Sequence, residues 1–233
     1  MQSATEVVPH VYQLPVKGST AFVLVEESVA IIDTGRRGSG PNILKFVDQV
    51  ARSPRDISYI VSTHHHLDHV GGTAHLQKNS DGRAAVHEAD APFVQGDEPQ
   101  PNPFQNPTAA FFIRPVVALS KPPPFPVEIS LRDGDRLEPM GGMEVVHSPG
   151  HTQGSISLYF AREGLLIAGD AMQYRRGKLG LPSRLFTEDM ALAKESIRRL
   201  AQLDFDILCL SHAPPLKGKA SEALRRFADT LDD

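Results

Sequence analysis

The sequence predicts a layered α/β domain, because apolar runs with the length of buried strands alternate with segments of helical periodicity. At 233 residues the chain can bury a substantial core, and this length fits one large domain better than two small ones. We find no internal repeat of short period and no linker that would divide the sequence. The expectation is a single domain over residues 1–233.

The first predicted elements are a strand pair, a helix and a third strand. The run AFVLVEESVAIIDTG has two strand-like halves around a turn at residues 26–28, which indicates a hairpin. The segment PNILKFVDQVARS begins with a proline that a first helical turn allows. A buried strand, ISYIVS, then leads directly into THHHLDHVGG at residues 63–72. The apolar helical face consists of Ile43, Leu44, Val47, Val50 and Ala51.

The C-terminal half repeats this alternation. MEVVHSPGHTQGSISLYF predicts two strands around a turn that contains His151. LLIAGD predicts a buried strand that ends at Asp170, and FDILCLSH predicts another that ends at His212. Between them, TEDMALAKESIRRLAQL predicts a helix with Thr187 as its N-cap.

The segment from about residue 90 to residue 127 differs from the rest of the chain. It contains ten prolines around the apolar run AAFFIRPVVAL. The interpretation that we favour is a lid whose apolar residues cover a substrate cleft, and the simpler alternative is an irregular surface crossing. The same run could instead pack on a second subunit, which would make the protein a homodimer.

Composition limits the compartment and the partners. Cys209 is the only cysteine, which excludes an internal disulfide framework and a multi-cysteine zinc site. No apolar run approaches the length of a bilayer span, and MQSATEVVPH lacks the layout of an export signal. A cytoplasmic protein with no membrane span is therefore expected. The 24 basic and 28 acidic residues are mixed along the chain, so no nucleic-acid partner is expected.

Four apolar runs end in residue types that bind metals. If the strands lie side by side, their ends converge, and residues far apart in sequence become neighbours. Imidazole and carboxylate ligands without a thiolate suit zinc, but also iron or manganese, so the ligand types leave the metal open. The side chains in question are His64, His66, Asp68, His69, His151, Asp170 and His212.

The pattern His-x-His-x-Asp-His at residues 64–69, followed by SPGHTQGS, AGDA and LSHAPP, resembles the metallo-β-lactamase superfamily of hydrolases. The likeness extends over nearly the whole chain and includes the early IIDTG. It implies a four-layer αβ/βα sandwich, in which two mixed sheets lie between outer helices. It implies one metal ion held by His64, His66 and His151. It implies a second held by Asp68, His69 and His212, with Asp170 bridging both.

The resemblance also implies the chemistry. Two divalent ions, with zinc as the first expectation, lower the pKa of a bridging water and polarise the carbonyl under attack. The expected substrate is a small carboxylic ester, thioester or lactone, and Asp68 would also transfer a proton. Tyr174 could donate a hydrogen bond to the substrate oxyanion or simply pack beneath the lid. Asp33 could orient a metal-bound imidazole or form an Asx turn.

The remaining histidines and the cysteine have simpler explanations. His65 lies between two ligands and is expected to face away. Cys209 is expected to be a small apolar core residue. Surface or satisfied core positions are expected for His10, His75, His87 and His147.

Absent features separate the branches of the superfamily. Class B β-lactamases usually carry an export signal, and many use a cysteine ligand at the position of Asp170. Because neither feature is found here, an antibiotic-degrading role is not expected. Glyoxalase II enzymes share the ligand set, but their glutathione site needs a helical C-terminal extension, and only residues 213–233 follow His212 here. Flavodiiron-type oxygen reductases need a flavin domain, which is not found in this sequence, so this branch is not expected. The ligand set matches lactonases, which favours a lactone or ester. The alternatives are a mononuclear-iron persulfide dioxygenase and a non-catalytic metal-binding member.

Overall fold

The computed structural model describes residues 4–99, 101, 121–138 and 141–231. The chain forms two compact units. Unit 1 contains Met1–Val86 and Ala91–Ser130, and unit 2 contains His87–Asp90 and Leu131–Asp233. Most of the predicted lid lies outside the described residues, because residues 102–120 are not among them. The lid, the alternative subunit interface and the single-domain organisation therefore stay predictions.

Unit 1 is built on a seven-stranded sheet whose spatial order follows the chain. The first four strands form an antiparallel meander, which confirms the hairpin predicted around residues 26–28. Strands four, five and six then run parallel, so their carboxyl ends share one edge of the sheet. The strands are β1 (Thr5–Val8), β2 (Val11–Pro15), β3 (Thr20–Val25), β4 (Val29–Ile32), β5 (Ile57–Val61), β6 (Arg83–His87) and β7 (Ile129–Leu131).

The described helices of unit 1 lie between β4 and β7 along the chain. They are α1 (Gly40–Gln49), α2 (Leu67–Val70), α3 (Thr73–Asn79) and α4 (Ala91–Gln95), with a single 3₁₀ turn at Pro54–Asp56. The first of them buries Ile43 and Val47 in the apolar core beside the sheet, as the sequence predicts. Ala51 lies beyond the end of this helix and is exposed, so the apolar face is shorter than predicted.

Unit 2 contains a six-stranded sheet in the order β15-β14-β11-β10-β9-β8. Its second and third strands along the chain form the antiparallel pair predicted on either side of the histidine-containing turn. β11 and β14 are parallel neighbours. A separate ribbon pairs β12 (Gln173–Arg175) with β13 (Lys178–Gly180). The sheet strands are β8 (Arg136–Leu137), β9 (Met143–His147), β10 (Ile156–Phe160), β11 (Leu165–Ile167), β14 (Ile207–Cys209) and β15 (Leu216–Lys217).

Two helices complete unit 2, namely α5 (Met190–Leu200) and α6 (Ala220–Ala228). The first buries Ile197 and Leu200 in the apolar core of this unit. The N-cap predicted at Thr187 is wrong, because Asp189 accepts a hydrogen bond from the backbone N–H of Leu192 at 3.0 Å. Among the described residues, no helix combines the length and the apolar character that a membrane span requires.

Parallel strand pairs place the predicted ligands at sheet edges in each unit. In unit 1, Asp33 follows β4 directly, and His64 comes three residues after the end of β5. In unit 2, Asp170 follows β11 and His212 follows β14, each three residues beyond its strand. Because parallel neighbours end at the same edge, the side chains of each pair are brought together within their own unit.

Candidate metal centre

The loop between β5 and α3 gathers four of the predicted ligands in unit 1. A ring nitrogen of His64 lies within 4.8 Å of a ring nitrogen of His66 and of one of His69. A carboxylate oxygen of Asp68 also lies within 4.8 Å of a ring nitrogen of His69. The His64 and His69 rings have centroids 3.9 Å apart. Both of these imidazoles are buried, whereas His66 and Asp68 are half-buried. The His-x-His-x-Asp-His pattern thus folds into one compact group of donors.

Asp33 fixes the orientation of His69. Its fully buried carboxylate lies 2.8 Å from His69 Nδ1, and it accepts hydrogen bonds from the backbone N–H and the hydroxyl of Thr63, each at 2.8 Å. A carboxylate at Nδ1 holds the proton there and leaves Nε2 as the nitrogen that can bind a cation. The contact expected for Asp33 as an orienting residue is therefore present. Asp33 itself has φ +57, a conformation that aspartate tolerates.

The turn after Asp33 packs against the glycines that follow the ligand loop. The Thr34 hydroxyl donates to the backbone carbonyl of His69 at 2.9 Å and accepts from the N–H of Gly72 at 3.0 Å. A Cβ atom on Gly71 would lie 2.4 Å from the backbone nitrogen of Arg37, so only glycine fits there. These contacts explain why DTG and VGG occur on either side of the ligands.

Unit 2 brings together the other three predicted ligands. Asp170 Oδ2 lies 3.2 Å from His212 Nε2 and 3.7 Å from His151 Nε2. The His151 side chain is buried, that of Asp170 is partly exposed, and that of His212 is 45% exposed. One carboxylate oxygen thus lies near two imidazole nitrogens, and donor atoms grouped in this way suit a bound cation.

The loop that carries His151 is anchored by a residue that sequence reasoning missed. Asp90 is fully buried and accepts from the Thr152 hydroxyl at 2.8 Å and from the backbone N–H of Gly154 at 2.7 Å. A Cβ atom on Gly154 would lie 2.4 Å from the Asp90 carboxyl carbon. The only sequence signal was an acidic residue soon after β6, and 62 residues separate Asp90 from Thr152.

The segment before α5 and α5 itself also hold this loop. The Thr187 hydroxyl lies 3.2 Å from His151 Nδ1, which leaves Nε2 on the side of Asp170. The Ser196 hydroxyl donates to the carbonyl of Pro149 at 2.6 Å. Thr187, expected to cap the helix, thus contacts a predicted ligand instead.

The other residues singled out in the sequence lie outside these groups. Tyr174 lies in β12, half-buried against the apolar core of unit 2, and its role as an oxyanion donor stays a prediction. His65 is buried, and its ring centroid lies 4.7 Å from that of Phe93. Cys209 is fully buried, which confirms the predicted core position, and this burial raises the pKa of its thiol to about 12. Among the described residues, no metal-ligand group includes His10, His75, His87 or His147.

The donor sets fit a divalent transition metal. Each group combines imidazole nitrogens with carboxylate oxygens, and the only thiol lies buried in β14. Such nitrogen and oxygen donors are the ligands found around zinc, iron and manganese in proteins.

A family model decides the relationship: the model of the metallo-beta-lactamase superfamily matches residues 14–212. The chain belongs to the metallo-β-lactamase superfamily. The match runs from β2 to His212 and includes all seven predicted ligands. The resemblance inferred from the motifs is therefore confirmed.

Two relatives of this superfamily member are hydrolases by name. A probable metallo-hydrolase of Bacillus subtilis, YflN, is 28% identical over 211 residues, which cover 82% of this chain and 78% of the relative. A hydroxyacylglutathione hydrolase of Cereibacter sphaeroides is 29% identical over 179 residues, which cover 76% of this chain. The matched region is 54% of the length of that enzyme. These names and the family support a hydrolase that binds divalent metal.

Solved structures establish the fold of this superfamily member. A metallo-β-lactamase family protein from Thermus thermophilus superposes with a TM-score of 0.73 at 25% identity, covering 96% of this chain and 78% of the other. A metallo-β-lactamase from Pontibacter korlensis gives a TM-score of 0.72 at 17% identity, with 99% and 100% covered. The predicted αβ/βα sandwich of mixed sheets and outer helices is confirmed.

Proposed function

We propose that this protein is a binuclear metal-dependent hydrolase that cleaves a carboxylic ester, thioester or lactone. The observation that carries the proposal is that each unit gathers imidazoles and a carboxylate into a group with no thiolate, and that one family match includes both groups. Two divalent cations, with zinc as the first candidate and iron or manganese as alternatives, suit these donors. The expected partner is a small-molecule substrate.

The proposed ligand assignment is supported by the contacts within each unit. Asp170 would serve both cations, since one of its oxygens lies near the Nε2 atoms of both His151 and His212. His64 has ligand neighbours on two sides, as expected where two cations are adjacent. The first cation would be held by His64, His66, His151 and Asp170. The second would be held by Asp68, His69, His212 and Asp170.

The chain's own residues have distinct roles in the proposed hydrolysis. When bound, the cations would supply a Lewis acid for the carbonyl and a water of lowered pKa at neutral pH. Asp68 accepts a proton and passes it to the leaving group, and its side chain is 24% exposed at the surface of the loop. Asp33 keeps His69 in the tautomer that presents Nε2. Tyr174 donates a hydrogen bond to the developing oxyanion.

The relatives support the reaction class. Hydroxyacylglutathione hydrolases are acyl hydrolases by name, and the matched region is 54% of the length of the one from Cereibacter sphaeroides. We therefore propose an acyl substrate in general, without transferring their particular one. The precedent of lactonases with the same ligand set keeps lactones in the proposal.

Metal analysis with single and double variants tests the assignment. We expect two zinc ions per chain in the purified protein, and one after either His64→Ala or His151→Ala. The double variant should still retain one ion, because both residues are proposed to hold the same cation. His64→Ala combined with His212→Ala should retain none, since those residues serve different cations. His10→Ala, an exposed control, should bind two.

Activity on a panel of lactones, thioesters and phosphodiesters completes this test. Hydrolysis of acyl substrates that is lost on chelation and restored by zinc supports the proposal. One iron per chain, with oxygen uptake on glutathione persulfide, would contradict it in favour of the dioxygenase. Tight metal binding without turnover of any substrate would favour the non-catalytic alternative.

A further inference from the structure

A cluster of three cationic side chains lies beside the ligand loop of unit 1. It consists of Lys17, Arg36 and Arg37, and we call it the cationic cluster. All three residues are exposed, and within the described part of the chain their side chains form no ion pair or hydrogen bond. The segments 14–25 and 34–47 contain four basic residues and no acidic one. Within these two segments no acidic residue compensates the cluster, although the whole chain has a net charge of −4.

Two turns in contact with each other bring the side chains of Lys17 and Arg36 together, and Arg37 follows Arg36 in the second turn. The backbone N–H of Arg36 donates to the carbonyl of Lys17 at 2.7 Å. A Cβ atom on Gly18 would lie 2.7 Å from Arg36 Nε, and one on Gly38 would lie 3.2 Å from Lys17 Nζ. Each long side chain thus lies across the glycine of the opposite turn. Both glycines have positive φ, at +88 and +86, so the turns themselves require glycine.

The cationic cluster is attached to the proposed ligands of the same unit. The Ser19 hydroxyl donates to the backbone carbonyl of Asp68. The backbone of Arg37 packs so closely on Gly71 that a Cβ atom there would lie 2.4 Å from the Arg37 nitrogen. The backbone segments that carry the cationic cluster are therefore attached to the backbone of the ligand loop.

We propose that the cationic cluster binds an anionic group of the substrate, such as a carboxylate, a few atoms from the bond that is cleaved. Like charges held together without a counter-charge repel one another, and a bound anion relieves that repulsion. Guanidinium groups suit a carboxylate because they donate two parallel hydrogen bonds. A patch of one sign also attracts an oppositely charged substrate. This inference rests on the proposed function and narrows its substrate class to anionic esters and thioesters.

A binding measurement tests the cationic cluster independently of turnover. The probes are two non-hydrolysable thioethers of equal length, one ending in a sulfonate and the other in a neutral amide. The holoenzyme should bind the sulfonate probe roughly tenfold more tightly at low salt, and the preference should shrink as salt is added. In a Lys17→Gln, Arg36→Gln, Arg37→Gln triple variant the preference should disappear. The control Lys78→Gln, an exposed cation on α3, should keep it.

The outcomes separate this inference from the proposed function. Equal affinity for both probes in the unmodified protein, or an unchanged preference in the triple variant, overturns the inference. Loss of the preference in Lys78→Gln would also overturn it, since the effect would then reflect overall charge. If no ester or thioester is hydrolysed, the proposed function fails while the probe affinities still decide the cationic cluster. If hydrolysis occurs, kcat/KM for an anionic thioester should fall about tenfold in the triple variant and stay within about twofold for its neutral analogue.

Discussion

Asp33 is the residue on which the ligand group of unit 1 depends most directly. It is fully buried, follows β4 without a gap, and joins the strand to both Thr63 and His69 through its carboxylate. A buried carboxylate is costly unless it is hydrogen-bonded, and here the donors are Thr63, just after the parallel neighbour β5, and His69 in α2. The contact with Asp33 therefore fixes the orientation of the His69 imidazole relative to the end of β4.

We expect Asp33→Asn to weaken metal binding roughly 10- to 100-fold, because an amide removes the charge and one of the two acceptor oxygens beside His69. Competition with a chromophoric chelator measures the affinity. Asp48→Asn, an exposed carboxylate on α1, is the matched control and should bind metal as the unmodified protein does. An affinity within twofold in Asp33→Asn would mean that this carboxylate does not support the site.

At the scale of the elements, the loop between β9 and β10 shows how long-range contacts build a ligand position. Besides hydrogen bonds within the loop, the loop is held by Asp90 and by Ser196 of α5. Neither partner is near it in sequence. The glycine in HTQG is there because the buried Asp90 carboxylate occupies the space of a side chain.

Gly154→Ala should therefore lower the free energy of unfolding by about 1–3 kcal/mol, since the added methyl group overlaps a buried carboxylate that has no room to move. Urea denaturation of metal-free protein measures the change. Gly180→Ala is the control, because nothing lies within 4 Å of a Cβ atom at that position, and it should stay within about 0.5 kcal/mol. Equal destabilisation by both substitutions would contradict the role of Asp90.

The elements differ in how far the sequence could predict them. The hairpin at residues 26–28 and the strands that end near Asp170 and His212 follow from local patterns, because burial leaves uninterrupted apolar runs. The anchoring by Asp90 and the contact of Thr187 with His151 could not be predicted. They depend on residues that only folding brings together, and an acidic residue or a threonine has no local pattern that reveals its partner.

At the scale of the whole molecule, motifs were more informative than composition. Periodicity alone predicted a layered α/β fold, whereas the order of the ligand motifs pointed to the superfamily that the family match confirmed. No linker in the sequence marked the two compact units, and the proline-rich segment at about residues 90–127 was interpreted as a lid although it ends close to their boundary after Ser130. Such units differ in their contacts, and contacts between distant residues are not visible in a local pattern.

The dependence of stability on pH is a property of the whole molecule to which one buried pair contributes. His87 is buried, and its ring stacks on that of His147 with centroids 4.0 Å apart. Burial lowers the pKa of His87, and the nearby His147 lowers it further, while Asp90, Glu88 and Asp133 oppose the change. The folded protein therefore binds a proton at His87 less readily than the unfolded chain does.

The direction in which His87 changes stability with pH follows from this difference in proton binding between the folded and unfolded states. The contribution of His87 to the free energy of unfolding is fully present above its unfolded pKa of about 6.5 and is lost as the pH falls from there toward the lower folded pKa. A single group changes the stability by no more than about 1.4 kcal/mol per pH unit.

His87→Phe keeps an aromatic ring for the stack and removes the titration, so the stability of this variant should fall less steeply below pH 6.5. Urea denaturation of metal-free protein between about pH 8 and pH 5 measures both slopes, with His10→Asn, at an exposed position of positive φ, as the control that should follow the unmodified protein. Identical slopes for His87→Phe and the unmodified protein would show that His87 takes up its proton equally in both states.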